Sequence, residues 1–147
     1  MIDTHPLQAL ISPDSQGLIT TCVPNVQVFW SHCAMPRQLQ AYPFGLAFIF
    51  QGHKIGYIGE RRFQYGAGHY LAVGLPMHFE CETHVNSNEP LLGIFVHLDV
   101  TELSNLAAQM MNHDALPTTI IERSGVEPLC ISAPMYDILE RIIAILN

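Results

Sequence analysis

The sequence predicts a mainly β chain, a barrel or jelly roll of about eight strands followed by C-terminal α-helices. Three observations predict it. Between Tyr42 and Asp99, short β-rich runs follow one another with glycine-containing turns at close intervals. After Asp99 the apolar residues change to helical spacing. Hydrophobic residues make up 49% of the chain and charged residues only 13%, a low charge content for a solvated monomer. The 147 residues fit a single domain, with the barrel over about 17–99 and a helical part over about 100–147.

Taken in order, Met1 to Leu10 holds a candidate short helix. Gly17 to Trp30 reads as a hairpin: Leu18–Val23 and Val26–Trp30 are β-rich, and Pro24-Asn25 is the turn between them. Ser31 to Gln40 is polar and reads as a loop. Leu46–Phe50 is a continuous apolar strand, turned by Gln51-Gly52 into Lys54–Ile58. Gly59-Glu60 turns again into Arg61–Tyr65, and Gly66-Ala67-Gly68 leads into Tyr70–Val73. Phe79–Val85 alternates, Asn86–Pro90 is a polar loop, and Leu91–Leu98 is a strongly apolar strand. Asp99 or Thr101 then caps a helix carrying Leu103, Leu106, Ala107, Met110 and Met111 at helical spacing. Ile120-Ile121 is a candidate short strand, and Pro134 opens a last helix at its first turn, where proline is tolerated.

In that last helix Met135, Ile138, Leu139, Ile142 and Leu146 form one stripe, with Ile143 and Ile145 off it. A helix apolar over more than one stripe needs cover on two sides. The barrel supplies one; a second subunit or a further segment would supply the other, unless the helix is sunk in one core. Ile138, Ile142, Ile143, Ile145 and Leu146 are therefore the candidate dimer surface. No C-cap glycine precedes the end at Asn147, so truncation within a helix is expected.

Charge excludes one function class. The net charge is −7, with one lysine and five arginines, of which only Arg61 and Arg62 are adjacent. Phosphate binding needs clustered cations, so the chain by itself is not expected to bind DNA. Cys22, Cys33, Cys81 and Cys130 show no metal-binding spacing, and their apolar flanks predict buried reduced thiols. The opening residues carry an acid and a proline instead of a secretory pattern, and no apolar run is long enough for a membrane span. Cytoplasmic residence, with no membrane partner, is the expectation.

The order Gly17, Thr21, Gln51-Gly52, Lys54, Gly59, Tyr65-Gly66, Gly68 and Tyr70-Leu71 resembles the N-terminal, cupin-like sensor domain of AraC-type (AraC/XylS family) transcription regulators. Pro76, Pro90, the Leu91–Asp99 strand and the helix opening at Ala133-Pro134-Met135 fit as well, so the resemblance covers nearly the whole chain. It implies a cupin double-stranded β-helix (a jelly-roll barrel) followed by helices. It implies an effector-sensing and dimerisation module, a homodimer, whose DNA-binding half with two helix-turn-helix motifs is absent from this chain. DNA would be reached only through that half. The resemblance names no effector.

A metal-dependent cupin enzyme, an isomerase or dioxygenase, is the alternative. His78, Glu80, Glu82 and His84 recur with period 2 and share one strand face. His78 and His84, with His97 or His69 from a neighbour, are the weak candidate ligands. Against this, Phe79, Cys81 and Val85 hold the opposite parity and make the natural core face. The metal-cupin pattern G-x5-H-x-H-x3–4-E-x6-G also fails. With Gly52 as its last glycine, Gly45 stands in the glutamate position, and Gln38 and Gln40, or Leu39 and Ala41, stand at the histidines. No metal or other cofactor is expected. Gly66-Ala67-Gly68 lacks a dinucleotide context, and Cys81 and His84 differ in parity, which argues against a thiol nucleophile. No catalytic residue is assigned, and an enzyme is not expected.

A barrel of about eight strands can hold one small ligand. Trp30, Tyr42, Phe44, Phe48, Phe50, Tyr70 and His97 are the candidate lining residues for an unidentified small-molecule effector. A free-standing ligand-binding or storage module is a further possibility.

Overall fold

The computed structural model describes residues 2–86, 88–111 and 125–146. The chain begins with α1 (His5–Gln8) and continues through nine strands. These are β1 (Gln16–Thr20), β2 (Val26–Ser31), β3 (Met35–Tyr42), β4 (Gly45–Gln51), β5 (His53–Ile58), β6 (Arg61–Gly66), β7 (His69–Val73), β8 (Met77–His84) and β9 (Leu91–His97). Helix α2 (Val100–Met111), strand β10 (Val126–Cys130) and helix α3 (Ala133–Ala144) follow.

The strands form two antiparallel sheets, ordered β1-β2-β9-β4-β7-β10 and β3-β8-β5-β6. Within them β2 pairs β9, β3 pairs β8, β4 pairs β7 and β5 pairs β6. The chain from β2 to β9 is thus one long antiparallel ribbon, folded at the β5–β6 turn and rolled over two sheets, which is jelly-roll topology. The tip of the ribbon is Gly59, at φ 58°, a left-handed conformation that glycine adopts at least cost.

Period-2 geometry divides the buried side chains into two cores. Between the sheets lie Ala47, Ile49, Leu71, Val73, Leu91 and Phe95 from the larger sheet, facing Tyr42, Phe63, Tyr65, Phe79 and Cys81 from the smaller. On the outer face of the larger sheet Val28, Phe48, Leu92 and Ile94 pack with Leu7 of α1 and with Leu139, Ile143 and Leu146 at the C-terminal end. The larger sheet is therefore apolar on both faces, which explains why β4 and β9 read as unbroken apolar runs. The smaller sheet is half-solvated, so β8 alternates: Phe79, Cys81 and Thr83 are buried while His78 is exposed.

Several boundaries differ from the sequence expectation. The first strand ends at Thr20 instead of reaching Val23. Val23 N–H donates to Thr21 Oγ1 at 3.2 Å, and the same hydroxyl donates to the Val26 carbonyl at 2.8 Å, so the side chain replaces ladder bonds and bends the chain. Asn25 completes the turn at φ 67°. The expected loop up to Gln40 contains most of β3. Its hydropathy is inverted, with Leu39 66% exposed and the partly buried Gln38 and Gln40 on the alternate parity. Strand β10 was not anticipated; Pro128 confines it to the sheet edge, where it pairs only β7. The expected strand at Ile120-Ile121 lies outside the described residues. Of the four cysteines, all free, only Cys81 is buried; Cys22, Cys33 and Cys130 are exposed, because each lies in a turn, a connection or an edge position. No helix among the described residues is long and apolar enough to cross a membrane.

Both long helices start where their sequence dictates. Glu102 N–H donates to Asp99 Oδ1 at 2.9 Å, capping α2. Ser132 Oγ accepts from Met135 N–H at 3.4 Å, with proline in the first turn of α3.

Candidate functional site

The inner face of the smaller sheet is unusually polar. Strand register sets Lys54 beside Tyr65 on β6 and beside Thr83 on β8, so the three side chains sit in one row across three strands. Gln40 and Tyr42 of β3 reach the same region. Lys54 and Thr83 are buried, at 8% and 3% exposure, and Tyr65 is at 1%. A buried ammonium or hydroxyl is tolerated only with partners. Lys54 Nζ donates to Gln40 Oε1 at 2.7 Å and lies 5.7 Å from the centre of the Tyr42 ring. The Tyr42 and Tyr65 hydroxyls are 2.7 Å apart, and both approach Cys81 Sγ, at 3.7 and 3.9 Å.

Burial governs the ionisation of this group. It pushes the Tyr42 and Tyr65 hydroxyls well above the ordinary phenol value. It also raises the Cys81 thiol, an effect partly offset by the nearby Lys54 charge. It lowers Lys54, with Cys81 acting in the opposite direction.

These groups form one wall of a cavity of about 550 Å³ between the two sheets. The opposing wall is apolar and aromatic: Phe29, Ala47, Leu91 and Phe95; Trp30 borders the cavity, but its ring packs in the outer core of the larger sheet. Gln27 and His97 add a second polar point, with His97 Nε2 2.6 Å from Gln27 Oε1 and the imidazole edge-on to Phe95. The exposed Gln16, Leu18, Ala41 and Pro43 form the rim. Trp30 is held on the outer face of the larger sheet by an Nε1–H bond to the Asp14 carbonyl at 3.2 Å. Its ring occupies the space a side chain at position 17 would take: a Cβ on Gly17 would stand 2.3 Å from the indole.

Of the lining residues expected from sequence, Trp30, Tyr42 and His97 reach the cavity. Phe44, Phe48, Phe50 and Tyr70 do not. Phe48 stacks on Tyr70 at 5.2 Å, and with Phe50 they belong to the outer core. Phe44 is half-buried and outside the lining. A strand buried on both faces offers no hydropathic clue to which parity looks inward. The polar wall of Gln40, Lys54, Tyr65 and Thr83 went unrecognised. One signal was present: the only lysine of the chain lies in a strand beside Ile55 and Gly56, with tyrosine in register.

The His/Glu row lies on the opposite, outer face of β8. Glu80 pairs with Arg37. Glu82 accepts from the Tyr57 hydroxyl and lies 3.0 Å from His84 Nε2; these two contacts lower its carboxyl below the ordinary value. The His84 ring stacks on His53 at 4.8 Å. His97 belongs to the other sheet and faces the cavity, and His69 is on β7, so neither joins His78 and His84 on one face. Among the described residues no group of three or more histidine, cysteine or acidic side chains could hold a metal ion.

The candidate dimer surface is split by the packing of α3. Ile143 and Leu146 are buried in the chain's own core, at 3% and 4% exposure, and Ile142 is half-buried against it. Ile138 and Ile145 project outward, at 55% and 59%. The helical pitch of 100° per residue puts 139, 143 and 146 on the sheet-facing side and leaves 138 and 145 opposite.

Three comparisons bear on this architecture. The family model of the AraC-type transcriptional regulator N-terminus matches residues 22–147. The fold is similar to that of an apo ToxT variant from Vibrio cholerae strain SCE256, 8% identical, with a TM-score of 0.54 over 87% of this chain and 50% of that one. The chain thus spans about half the length of that protein. The AraC-like transcriptional activator CuxR aligns at 12% identity and TM-score 0.41, over 82% of this chain and 41% of CuxR. No curated protein sequence matches.

Proposed function

The chain belongs to the AraC-type transcriptional regulator N-terminus family, and from that premise we propose that it is the effector-sensing and dimerisation module of a cytoplasmic regulator. Its jelly roll is read as a cupin barrel, and its cavity as the effector site. A DNA-binding half outside this chain would make the contacts with DNA, a reading supported by this chain's net charge of −7.

The observation that carries the reading is the cavity itself, a mostly apolar chamber with a few convergent buried polar groups, the usual form of a small-molecule site. Its position supports a relay. Ala47 on the inner face of β4 lines the cavity, while the adjacent Phe48 packs on the outer face in the same core as Leu139 and Ile143 of α3. A single layer of sheet separates an occupant of the cavity from the last helix. An effector would act by binding one arrangement of that helix more tightly than another. The outward Ile138 and Ile145 favour the dimer reading. Catalysis is not proposed; Glu80 is engaged with Arg37, and Glu82 with Tyr57 and His84.

Native mass spectrometry of untagged protein, purified without chelating resin, tests the whole reading. A metal-free dimer carrying an organic adduct is the expected result. A monomer with one divalent metal per chain would overturn it in favour of a metal-dependent enzyme.

A further inference from the structure

Lys54 is the only lysine in a chain with thirteen acidic residues, yet it is buried at 8% exposure in the cavity wall. An ammonium carries three N–H donors, and the acceptor it reaches is Gln40 Oε1 at 2.7 Å. Among the described residues no carboxylate lies within ion-pairing distance of it; the salt bridges join Arg37 to Glu80, Arg61 to Glu127 and His84 to Glu82. A buried charge without a counter-charge is costly, and completing the pair returns part of that cost. The groups around it add donors rather than negative charge: the Tyr42 and Tyr65 hydroxyls, 2.7 Å apart, and Thr83 in register with Lys54. The opposite wall offers aromatic and aliphatic surface from Phe29, Ala47, Leu91 and Phe95.

We infer that the effector is a small organic acid with an apolar body, its carboxylate received by Lys54 and its body held against Phe29, Leu91 and Phe95. This rests on the reading of the cavity as an effector site and names the chemical class that site selects. Burial disfavours the charged lysine, and a bound carboxylate would favour it. The rest of the wall supplies hydrogen bonds that a neutral group could also use, so the charge of Lys54 is what discriminates an acid from its neutral analogue.

The test uses isothermal titration calorimetry on the whole chain, which reads occupancy of the cavity as heat. Benzoate, 3-phenylpropionate and octanoate are titrated against their primary amides, with wild-type protein and Lys54→Met. At least one acid is expected to give a saturable change, with its amide and the methionine variant each at least tenfold weaker. Equal binding of acid and amide to the wild type overturns the acid class while leaving the cavity an effector site; that comparison does not depend on the variant folding. An acid bound equally by a folded Lys54→Met chain does the same. No response from any acid or amide at millimolar concentration overturns the inference together with the reading of the cavity.

Discussion

Single residues in this protein are constrained by backbone conformation or by the low-dielectric cavity. Gly59 is the simplest case. It sits exposed at the ribbon tip with φ 58°, and a Cβ there would meet nothing within 4 Å. Gly59→Ala should therefore cost about 1 kcal/mol through backbone strain alone, seen as a lower urea midpoint at unchanged m. The Tyr42, Tyr65 and Cys81 cluster makes a pH prediction. Burial raises all three above their unfolded values, so each contributes stability that is complete below its unfolded value and lost as pH rises toward the folded one. Lys54 has the opposite sign: lowered in the fold, its penalty fades as pH rises toward its unfolded value. Below about pH 10 the Cys81 and Lys54 effects oppose each other; above it, where the tyrosines ionise in the unfolded chain, stability should fall. Tyr65→Phe should flatten that alkaline loss while costing about 1 kcal/mol at neutral pH from the lost hydroxyl bond. An alkaline limb of unchanged steepness in denaturation curves collected from pH 7 to 11 would place its cause elsewhere.

At the scale of elements, α3 is held by its cap and by one face. Ser132→Ala removes the acceptor for Met135 N–H and should cost about 1 kcal/mol. Leu139→Ala should cost about 2–5 kcal/mol, since Leu139 is 2% exposed beneath the helix. The two together measure how far the helix depends on the sheet instead of on its own hydrogen bonds. Helix α2 differs: Val100, Leu103 and Leu106 are all exposed, at 66%, 40% and 51%. It is capped by Asp99, and none of residues 100–109 belongs to either core.

For the whole molecule the decisive property is association. Ile138→Glu should weaken the proposed dimer at least tenfold in sedimentation without lowering the melting temperature, because Ile138 is 55% exposed. Ile142→Glu is less clean: Ile142 is half-buried against the core, so a charge there would disturb folding as well. Unchanged sedimentation of Ile138→Glu would move the interface off this face of α3.

The order of strands from β4 to β9, the turns between them, the start of α3 at its proline and the outward row of His78, Glu80, Glu82 and His84 were all legible in the sequence. Each is written in local chemistry: period-2 hydropathy, glycine where the backbone must turn left-handed, a proline that fits only a first turn. The tertiary structure alone decided which residues meet in the cavity. Phe48 and Tyr70 look as fit for a pocket as Phe95, but a strand apolar on both sides does not disclose which side faces the other sheet. Gln40 reads as part of a loop because the face it belongs to lines a polar wall, where hydropathy runs backwards. Lys54 reads only as the start of a strand until cross-strand register sets it beside Tyr65 and Thr83 under cover of the opposite sheet. Local pattern determines parity along a strand; only the packing of the two sheets assigns one parity to the cavity and the other to the helices.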